Sequence, residues 1–486
     1  MADNAFEHMY ITAARLLSDA GIDIAPQTVL ITALAAISPF IILVLVAVAQ
    51  SPKPLPPPAG CRKLGLQGAT NFEDQYSKKY AKGGDPTPAK PWTVKALFVY
   101  PLKSGAPIEL EKSDVLRTGL KYDRQFTLAQ QVTSLPSMDG KVTSEWHFMT
   151  QRKFPRLARV ETEIWVPDPS AKDYKEDGEW VKSEGCLVIR FPFSPDTDFT
   201  MEGLLNYGQI LAARLSRKSE PMLEFRVPFN PPQDRIKSKG YRSEVLRIWK
   251  DNPVALNMSP EIDREIFEKL RYTLGAANPI ALFRIDTNAY REVHKCAPKK
   301  EDVGFATVIG MQDSVCVDLA SISYVANITQ YPIHIINMAS VHDVASKLPT
   351  GKPEPEHIWQ RQHTLLDGLR FRANIYITGP PAFAEDDWKK AKLTSSDSSE
   401  LNLHISCRAT RCKLPNVDPE TAVADRNEPL TTLRNYRVID AGSKNACLGM
   451  QVTPLEEGSV TVGDKIEVLE IGEHRFIGGE GSKVDG

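Results

Sequence analysis

Closely spaced cysteines are scarce in this sequence, which has seven cysteines in 486 residues. Structural zinc sites take four ligands, commonly as two close pairs, and Cys407 and Cys412 have neither that spacing nor a second pair to complete the site. The low and odd number of cysteines also argues against a disulfide framework. Two interpretations of this pair remain open: buried core residues, or a thiolate ligand to a metal held by something else.

An excess of charge of one sign is also missing, because the formal net charge is -2 with 25% charged residues. No global positive field therefore indicates a nucleic acid partner. The stretches LGLQGA (64–69) and YITGP (376–380) do not lie in the strand–loop–helix pattern that binds a dinucleotide. The length suits two or three domains, none of which is predicted to bind NADH itself.

One long hydrophobic run, residues 29–49, contains no charged residue. Its length suits a helix that crosses about 30 Å of hydrocarbon, and no basic segment precedes it, as one would in a signal peptide. We expect a membrane-spanning helix at 29–49, between a tail at 1–28 and a Pro/Gly/Lys-rich linker at 50–91. Acidic residues dominate before the run and basic residues after it, which predicts that the rest of the chain faces the cytosol.

Short apolar runs rich in β-branched and aromatic residues follow from residue 92 onward, separated by Gly, Pro and Asp turns. Few long helical patterns interrupt them, one being SPEIDREIFEKLRYTLG at 259–275. The pattern predicts a mostly β fold with some α structure (α+β), a β-barrel with helices packed outside.

Cationic and small polar residues occur where several of these predicted strands begin or end. YPLKSG (100–105) presents Lys103 and Ser104, and GLKYDRQFTL (119–128) presents Arg124. FRANI (371–375) similarly presents Arg372 and Asn374. One such arginine alone is typical of a solvated surface, but together these donors suit a phosphate-bearing ligand rich in heteroatoms.

Taken in order, four stretches resemble the MOSC-type molybdenum enzymes, and among them the amidoxime-reducing members: YPLKS, GLKYDRQFTL, FRANI with AEDDW, and TRCKLPNVDPET with EPLTTLRNYR. The resemblance covers about 92–475 and is strongest over 92–128 and 365–440. It implies a MOSC N-terminal β-barrel domain at 92–240, a connecting strand and helix region at 241–300 and a MOSC domain at 301–475.

The resemblance further implies a molybdenum–molybdopterin cofactor whose metal takes one protein thiolate, from the cysteine that matches Cys412. The cofactor-binding residues it implies are Lys103, Ser104, Arg124, Ser314, Arg372, Asn374, Thr410 and Arg411. Cys407 lies outside the matched motif and is expected in the core. Asp313 and Ala422 replace the threonine and glycine usual in the family, and 330–365 is longer than the family needs, as in a surface insertion.

The function implied is that of a membrane-anchored oxidoreductase that reduces N-hydroxylated substrates such as amidoximes, hydroxylamines and N-hydroxylated bases. Electrons would come from NADH through cytochrome b5 reductase and cytochrome b5. The implied location is the mitochondrial outer membrane, facing the cytosol, with the endoplasmic reticulum as the alternative. Two other functions stay open: a protein that carries or sulfurates the molybdenum cofactor, and a membrane-tethered scaffold whose site has been lost.

Overall fold

A computed structural model describes most of the chain: residues 26–50, 54–136, 139–140, 142–216, 220–249, 251–293, 295–312, 331–349 and 366–475. Asp313 and Ser314 lie outside these residues. The described part separates into two bodies, one formed by the N-terminal helix with residues 192–223 and the other by nearly all the strands.

The strands are short, and several turns between them use residues with positive φ. In chain order they are β1 Cys61–Lys63, β2 Trp92–Val99, β3 Ile108–Leu110, β4 Lys112–Leu116, β5 Gly119–Leu120, β6 Phe126–Thr133, β7 Ser144–Phe148, β8 Glu161–Pro167, β9 Cys186–Pro192, β10 Met222–Pro228, β11 Arg242–Arg247, β12 Val254–Asn257, β13 Ile280–Ile285, β14 Arg291–Glu292, β15 Val308–Ile309, β16 Ile333–Asn337, β17 Ile375–Thr378, β18 Trp388–Thr394, β19 Glu400–Thr410, β20 Cys447–Pro454, β21 Gly458–Thr461 and β22 Lys465–Ile471.

Helices are fewer than strands in the described residues. They are Pro26–Gln50, Met201–Leu215, Gln233–Lys239, Arg264–Leu274, Lys300–Val303, Met338–Ser346 and Leu430–Tyr436. The prediction of a mostly β fold with some α structure is confirmed.

The largest sheet closes on itself. Its eight strands run in the order β17-β16-β20-β19-β18-β22-β2-β3, and β2 also pairs with β17. Strand β2 therefore joins the N-terminal part of the sequence to strands from its C-terminal part. Buried aromatic rings on β2 and β17 pack together, with the centroids of Phe98 and Tyr376 5.5 Å apart. Edge-to-face contact of this kind adds to the free energy gained by burying the rings.

A second closed barrel has five strands in the order β11-β12-β13-β6-β7. It combines β6 and β7 with β11–β13, which come about a hundred residues later, so it is discontinuous along the chain. Its interior is apolar, with Leu246, Ala281 and Phe283 fully or almost fully buried. Strands β11–β13 lie within the region predicted as a connection at 241–300; the domain boundaries proposed from the sequence stay predictions.

The N-terminal body contains the hydrophobic run. Helix Pro26–Gln50 includes it, and Ile31–Ala49 is long and apolar enough to cross a membrane by length and composition. Helix Met201–Leu215 packs against it at Gly208, where an added Cβ would lie 2.6 Å from the Cβ of Ala47. Glycine is required there because any side chain would separate the two helices.

Two sequence expectations differ from the structure. The helix predicted at 259–275 begins only at Arg264, because the Asp263 carboxylate caps it by accepting hydrogen bonds from the Glu265 and Ile266 amides. The surface insertion expected at 330–365 is wrong for residues 331–349, since β16 is wholly buried between β17 and β20. The helix Met338–Ser346 that follows contributes buried residues to the core.

Candidate functional site

The predicted site residues converge on one pocket. It is lined by eight of them, which come from four separate stretches of the chain: Lys103, Ser104, Arg124, Arg372, Asn374, Thr410, Arg411 and Cys412. The ninth, Ser314, lies outside the described residues. Convergence follows from strand ends, since Lys103 and Ser104 follow β2, Arg124 precedes β6, Arg372 and Asn374 precede β17, and Cys412 follows β19.

Three lining residues adopt left-handed backbone conformations, which are unfavourable for residues with a side chain. Ser104, Arg124 and Arg372 have φ angles of 64°, 48° and 53°. The Arg124 amide donates to the Tyr100 carbonyl at 2.8 Å, and the Arg124 carbonyl accepts from the Met311 amide at 2.8 Å. Such conformations are costly for residues other than glycine and concentrate at functional sites, where the surrounding structure holds them.

Arg124 ties the walls of the pocket together. Its guanidinium pairs with the buried Asp123 carboxylate and donates to Asn374 Oδ1 at 3.1 Å and to the Arg372 carbonyl at 3.0 Å. Asn374 is fully buried and donates from Nδ2 to the Phe98 carbonyl at 3.1 Å. The charge of Arg124 is therefore partly compensated, and its geometry joins β2 to β17.

Arg372 is less completely satisfied than Arg124. Its Nη1 donates to the Gly105 carbonyl at 2.7 Å, and the guanidinium lies 4.2 Å from the centroid of the Tyr100 ring. Nη2 is buried without a hydrogen-bond partner in the part of the chain that the structure describes. Burial lowers the pKa of Arg372 to about 10, with the Arg124 charge acting in the same direction. A buried donor in this state fits an acceptor supplied by a ligand.

Lys103 and Ser104 form the adjoining wall, and both are almost fully buried. The Lys103 ammonium lies 5.1 Å from the centroid of the Phe148 ring, a cation–π contact. The Ser104 carbonyl accepts a hydrogen bond of 2.9 Å from Gln151 Nε2. This bond orients the turn after β2, so that lysine and serine both line the pocket.

Arg411 anchors the segment that carries Cys412. Its guanidinium donates to the Leu448 carbonyl, to the Phe371 carbonyl at 3.2 Å and to His334 Nε2. Burial lowers the pKa of Arg411 to about 10, while the nearby Cys412 thiol acts in the opposite direction. Arg411 thus places a buried positive charge near the half-buried Cys412, the environment that favours a thiolate.

Ala422 lies in the loop that follows Cys412, at the position where the family usually has glycine. It has a φ of 58°, which explains the preference for glycine at this position. The Ala422 amide donates to the Asp418 carbonyl at 2.9 Å, and the Asp418 carboxylate pairs with Arg370. The loop therefore keeps its turn without glycine.

Eight further lining residues were not predicted from the sequence, and His334 and Gln312 are two of them. Burial and the charges of Arg411 and Arg124 lower the pKa of His334 well below its usual value, so the ring is neutral and accepts from Arg411. Gln312 is buried, and both polar atoms of its side chain lack a hydrogen-bond partner among the described residues. No motif marked either residue, because only the folded chain brings them to the pocket.

The pocket is strongly cationic. Its lining includes Lys103, Arg124, Arg372 and Arg411 and no carboxylate among the described residues. No group of three or more His, Cys, Asp or Glu within the described ranges could hold a metal ion. The arrangement therefore suits an anionic ligand that accepts hydrogen bonds, and a metal at Cys412 would need its other ligands from that molecule.

Two family models match the chain. The MOSC N-terminal beta barrel domain matches residues 92–200, and the MOSC domain matches residues 318–467. The pocket residues come from both matched ranges: Lys103, Ser104 and Arg124 lie in the first, and Arg372 and Cys412 in the second.

Several curated proteins are similar over long or short stretches. Mitochondrial amidoxime-reducing component 1 of Danio rerio is 24% identical over 382 residues, which cover 77% of this chain and 83% of that protein. Mitochondrial amidoxime reducing component 2 of Rattus norvegicus is 34% identical over 140 residues, 28% of this chain and 36% of that protein. Molybdenum cofactor sulfurase of Arabidopsis thaliana is 24% identical over 354 residues, 71% of this chain but 31% of that protein.

The chain is therefore a MOSC-domain protein, in which a MOSC N-terminal β-barrel domain is followed by a MOSC domain. Within that class it is similar to the mitochondrial amidoxime-reducing components, as the sequence motifs implied.

Proposed function

We propose that this protein is a membrane-anchored oxidoreductase that uses a molybdenum–molybdopterin cofactor to reduce N-hydroxylated compounds. The observation that carries the proposal is the pocket itself, in which four cationic side chains and no carboxylate among the described residues surround a single half-buried thiol, Cys412. Amidoximes, hydroxylamines and N-hydroxylated bases are the proposed substrates, supported by the names of the relatives.

The residues present fit this cofactor on two structural grounds. Arg372 Nη2 and the Gln312 amide are buried without partners among the described residues, so a bound molecule with phosphate and pterin heteroatoms would satisfy them. Cys412 offers a soft donor, which suits a metal already held by sulfur. Thr410, Ser104 and Asn374 line the same pocket and complete the proposed set of cofactor contacts.

The protein's own contribution is binding and orientation. Arg372 and Lys103 would neutralise the anionic part of the cofactor, while Arg124 and Asn374 hold the two walls in register through their hydrogen bonds. Arg411, itself fixed by the Leu448 and Phe371 carbonyls, holds Cys412 at the pocket. The bound molybdenum would supply the two-electron reduction in which an N–OH group, two electrons and two protons give N–H and water.

The proposed electron supply rests on the family resemblance, and the proposed location is supported by the word mitochondrial in the names of the relatives. No dinucleotide-binding fingerprint occurs in the sequence, so electrons are proposed to come from NADH through cytochrome b5 reductase and a cytochrome b5-type carrier. Helix Pro26–Gln50 would anchor the protein, with the mitochondrial outer membrane as the proposed location and the endoplasmic reticulum as the alternative. If the basic flank faces the cytosol, protease added to intact organelles should degrade the strand-rich body.

A second function is a carrier or sulfuration protein for the same cofactor, favoured by the match of 71% of this chain to a molybdenum cofactor sulfurase. Molybdenum and pterin should be measured in the purified full chain, together with benzamidoxime reduction driven by a reduced viologen dye. We expect near-stoichiometric molybdenum and turnover. Bound cofactor without turnover would favour the carrier, and absence of both would contradict either function.

A further inference from the structure

Helix Met201–Leu215 carries an exposed apolar surface outside the site. Phe199, just before it, is fully exposed, and Met201 and Leu215 at its two ends are 73% and 71% exposed. Leu204 and Tyr207 are exposed between them. Exposed apolar side chains grouped in this way indicate an interaction surface. The helix lies between the two ranges matched by the family models.

The exposed residues share a side of the helix with its contact to the apolar helix Pro26–Gln50. Leu204, Gly208, Leu211 and Leu215 follow one another at intervals of four, three and four residues, which places them on one side at 3.6 residues per turn. At Gly208 an added Cβ would lie 2.6 Å from the Ala47 Cβ. The apolar side of helix Met201–Leu215 is therefore larger than its contact with helix Pro26–Gln50. The rest of this side is exposed to the same surroundings as helix Pro26–Gln50.

That medium can be inferred from helix Pro26–Gln50. Only 6% of its apolar window Ile31–Ala49 is buried, although Ala47, at the contact, is completely covered. A helix this apolar and this exposed has the properties of a membrane span. The contact at Gly208 lies near its C-terminal end, where a span meets the membrane surface.

The sequence is basic at the C-terminal end of helix Met201–Leu215. Arg214 lies in its last turn, and Arg217 and Lys218 follow in the sequence. Basic residues beside an apolar helical side are typical of helices that lie in the membrane interface and contact anionic headgroups.

We propose that residues 199–215 form a second membrane contact, an interfacial helix that lies in the headgroup and acyl boundary beside the anchor. Its partner is a bilayer containing anionic phospholipid. The inference rests on the proposed membrane anchor and adds a lipid-binding element from the middle of the chain.

The test uses the full chain inserted into vesicles of phosphatidylcholine and phosphatidylserine, with a phospholipid that carries a photoactivatable diazirine on its acyl chain. After irradiation, lipid adducts are mapped by mass spectrometry. We expect adducts on peptides from both 29–49 and 199–215. Val245 and Tyr272, apolar residues that are exposed in the other body, give the reference level of labelling for exposed apolar side chains.

A variant with both Leu204→Glu and Leu215→Glu should lose adducts at 199–215 by roughly tenfold, because charged side chains disfavour the apolar boundary, and should keep those at 29–49. The control variant carries Val245→Glu and Tyr272→Glu and should label like the unchanged chain. Labelling of 29–49 alone would overturn the inference and leave the anchor intact. Labelling of neither would refute both. If 199–215 gained no lipid adducts but was joined chain to chain by an added bifunctional cross-linking reagent, the surface would be assigned to a second copy.

Discussion

Strand β19 and the residues just beyond its end place two thiols in opposite environments. Cys407 lies inside the strand, completely buried, and burial and contact with Cys296 raise its pKa well above the usual value. Cys412, past the last strand residue Thr410, is half-buried and lines a cationic pocket beside Arg411. The two cysteines are only five residues apart in the sequence. One is a core residue because it lies inside the strand, and the other is a candidate metal ligand because it lies beyond the strand's end.

The same contrast holds for the arginines around the pocket. Arg411 donates to two backbone carbonyls and to His334, so its guanidinium has hydrogen-bond partners like those of most buried polar groups. Arg372, in contrast, leaves Nη2 without a partner among the described residues. Buried polar groups normally have hydrogen-bond partners, so Arg372 Nη2 is the donor in this pocket that best fits an acceptor from a bound molecule.

The largest effect should come from replacing Cys412. Cys412→Ser exchanges a soft donor for a hard, poorly ionised one, so N-hydroxy reduction should fall by at least about a hundredfold, beyond the usual loss for outer-shell partners of a metal ligand. Pterin content should largely persist, since the cationic residues remain. Turnover and pterin fluorescence of the purified variant measure both quantities.

Cys407→Ser is the matched control. It should cost on the order of 1–3 kcal/mol of unfolding free energy, because a hydroxyl replaces a buried thiol, and should keep near-normal turnover. Urea unfolding and the same activity assay measure these effects. Loss of activity in this variant, with activity retained in Cys412→Ser, would show that the wrong thiol had been chosen.

Arg372→Gln should have the next largest effect, on cofactor content. Loss of a charge-assisted hydrogen bond costs about 1.5–3 kcal/mol, so affinity should fall roughly tenfold to a hundredfold. Pterin and molybdenum per chain after purification measure the loss. Lys390→Gln removes an exposed charge that pairs with Glu470 at 3.2 Å and should leave the content unchanged. Equal content in the two variants would contradict the role of Arg372.

Gln312→Met should change stability and cofactor binding in opposite directions. Both polar atoms of the Gln312 side chain are buried without partners among the described residues, so the cofactor-free protein should gain about 1–3 kcal/mol of unfolding free energy. Cofactor content should fall. Thermal unfolding of cofactor-free protein and pterin analysis measure the two effects, and a loss of stability without change in content would refute the assignment.

The smallest effect concerns pH. Because the pKa of folded His334 lies well below its usual value, the unfolded chain binds more protons below about pH 6.5, and His334 makes stability fall as pH falls. The slope from this residue reaches about 1.4 kcal/mol per pH unit. His334→Gln should reduce the slope between pH 6.5 and 5, measured by urea unfolding. Burial raises the pKa of Glu385 to about 7, so this residue makes stability rise as pH falls. Its contribution is the same in the unchanged chain and in the His334→Gln variant.

Strand-end patterns and the family resemblance together named the residues proposed for the site. Lys103, Arg124 and Arg372 occur at strand ends in recognisable stretches, and the structure brings all three to one pocket. His334 and Gln312 could not be predicted, because β16 and the end of the described segment 295–312 reach the pocket only through long-range pairing. The five-stranded barrel was likewise hidden, since its strands are far apart in sequence.

The sequence by itself determined the hydrophobic run at 29–49, the β-rich character and the motif residues, because each depends on composition, short-range periodicity or a family pattern. Tertiary structure alone decided which strands closed each barrel, that 331–349 entered the core, and that helix Met201–Leu215 met the apolar helix at Gly208. It also decided which buried polar atoms were left without partners among the described residues. The physical reason is that burial and hydrogen-bond satisfaction depend on contacts between residues distant along the chain, whereas helix and strand patterns depend on neighbours.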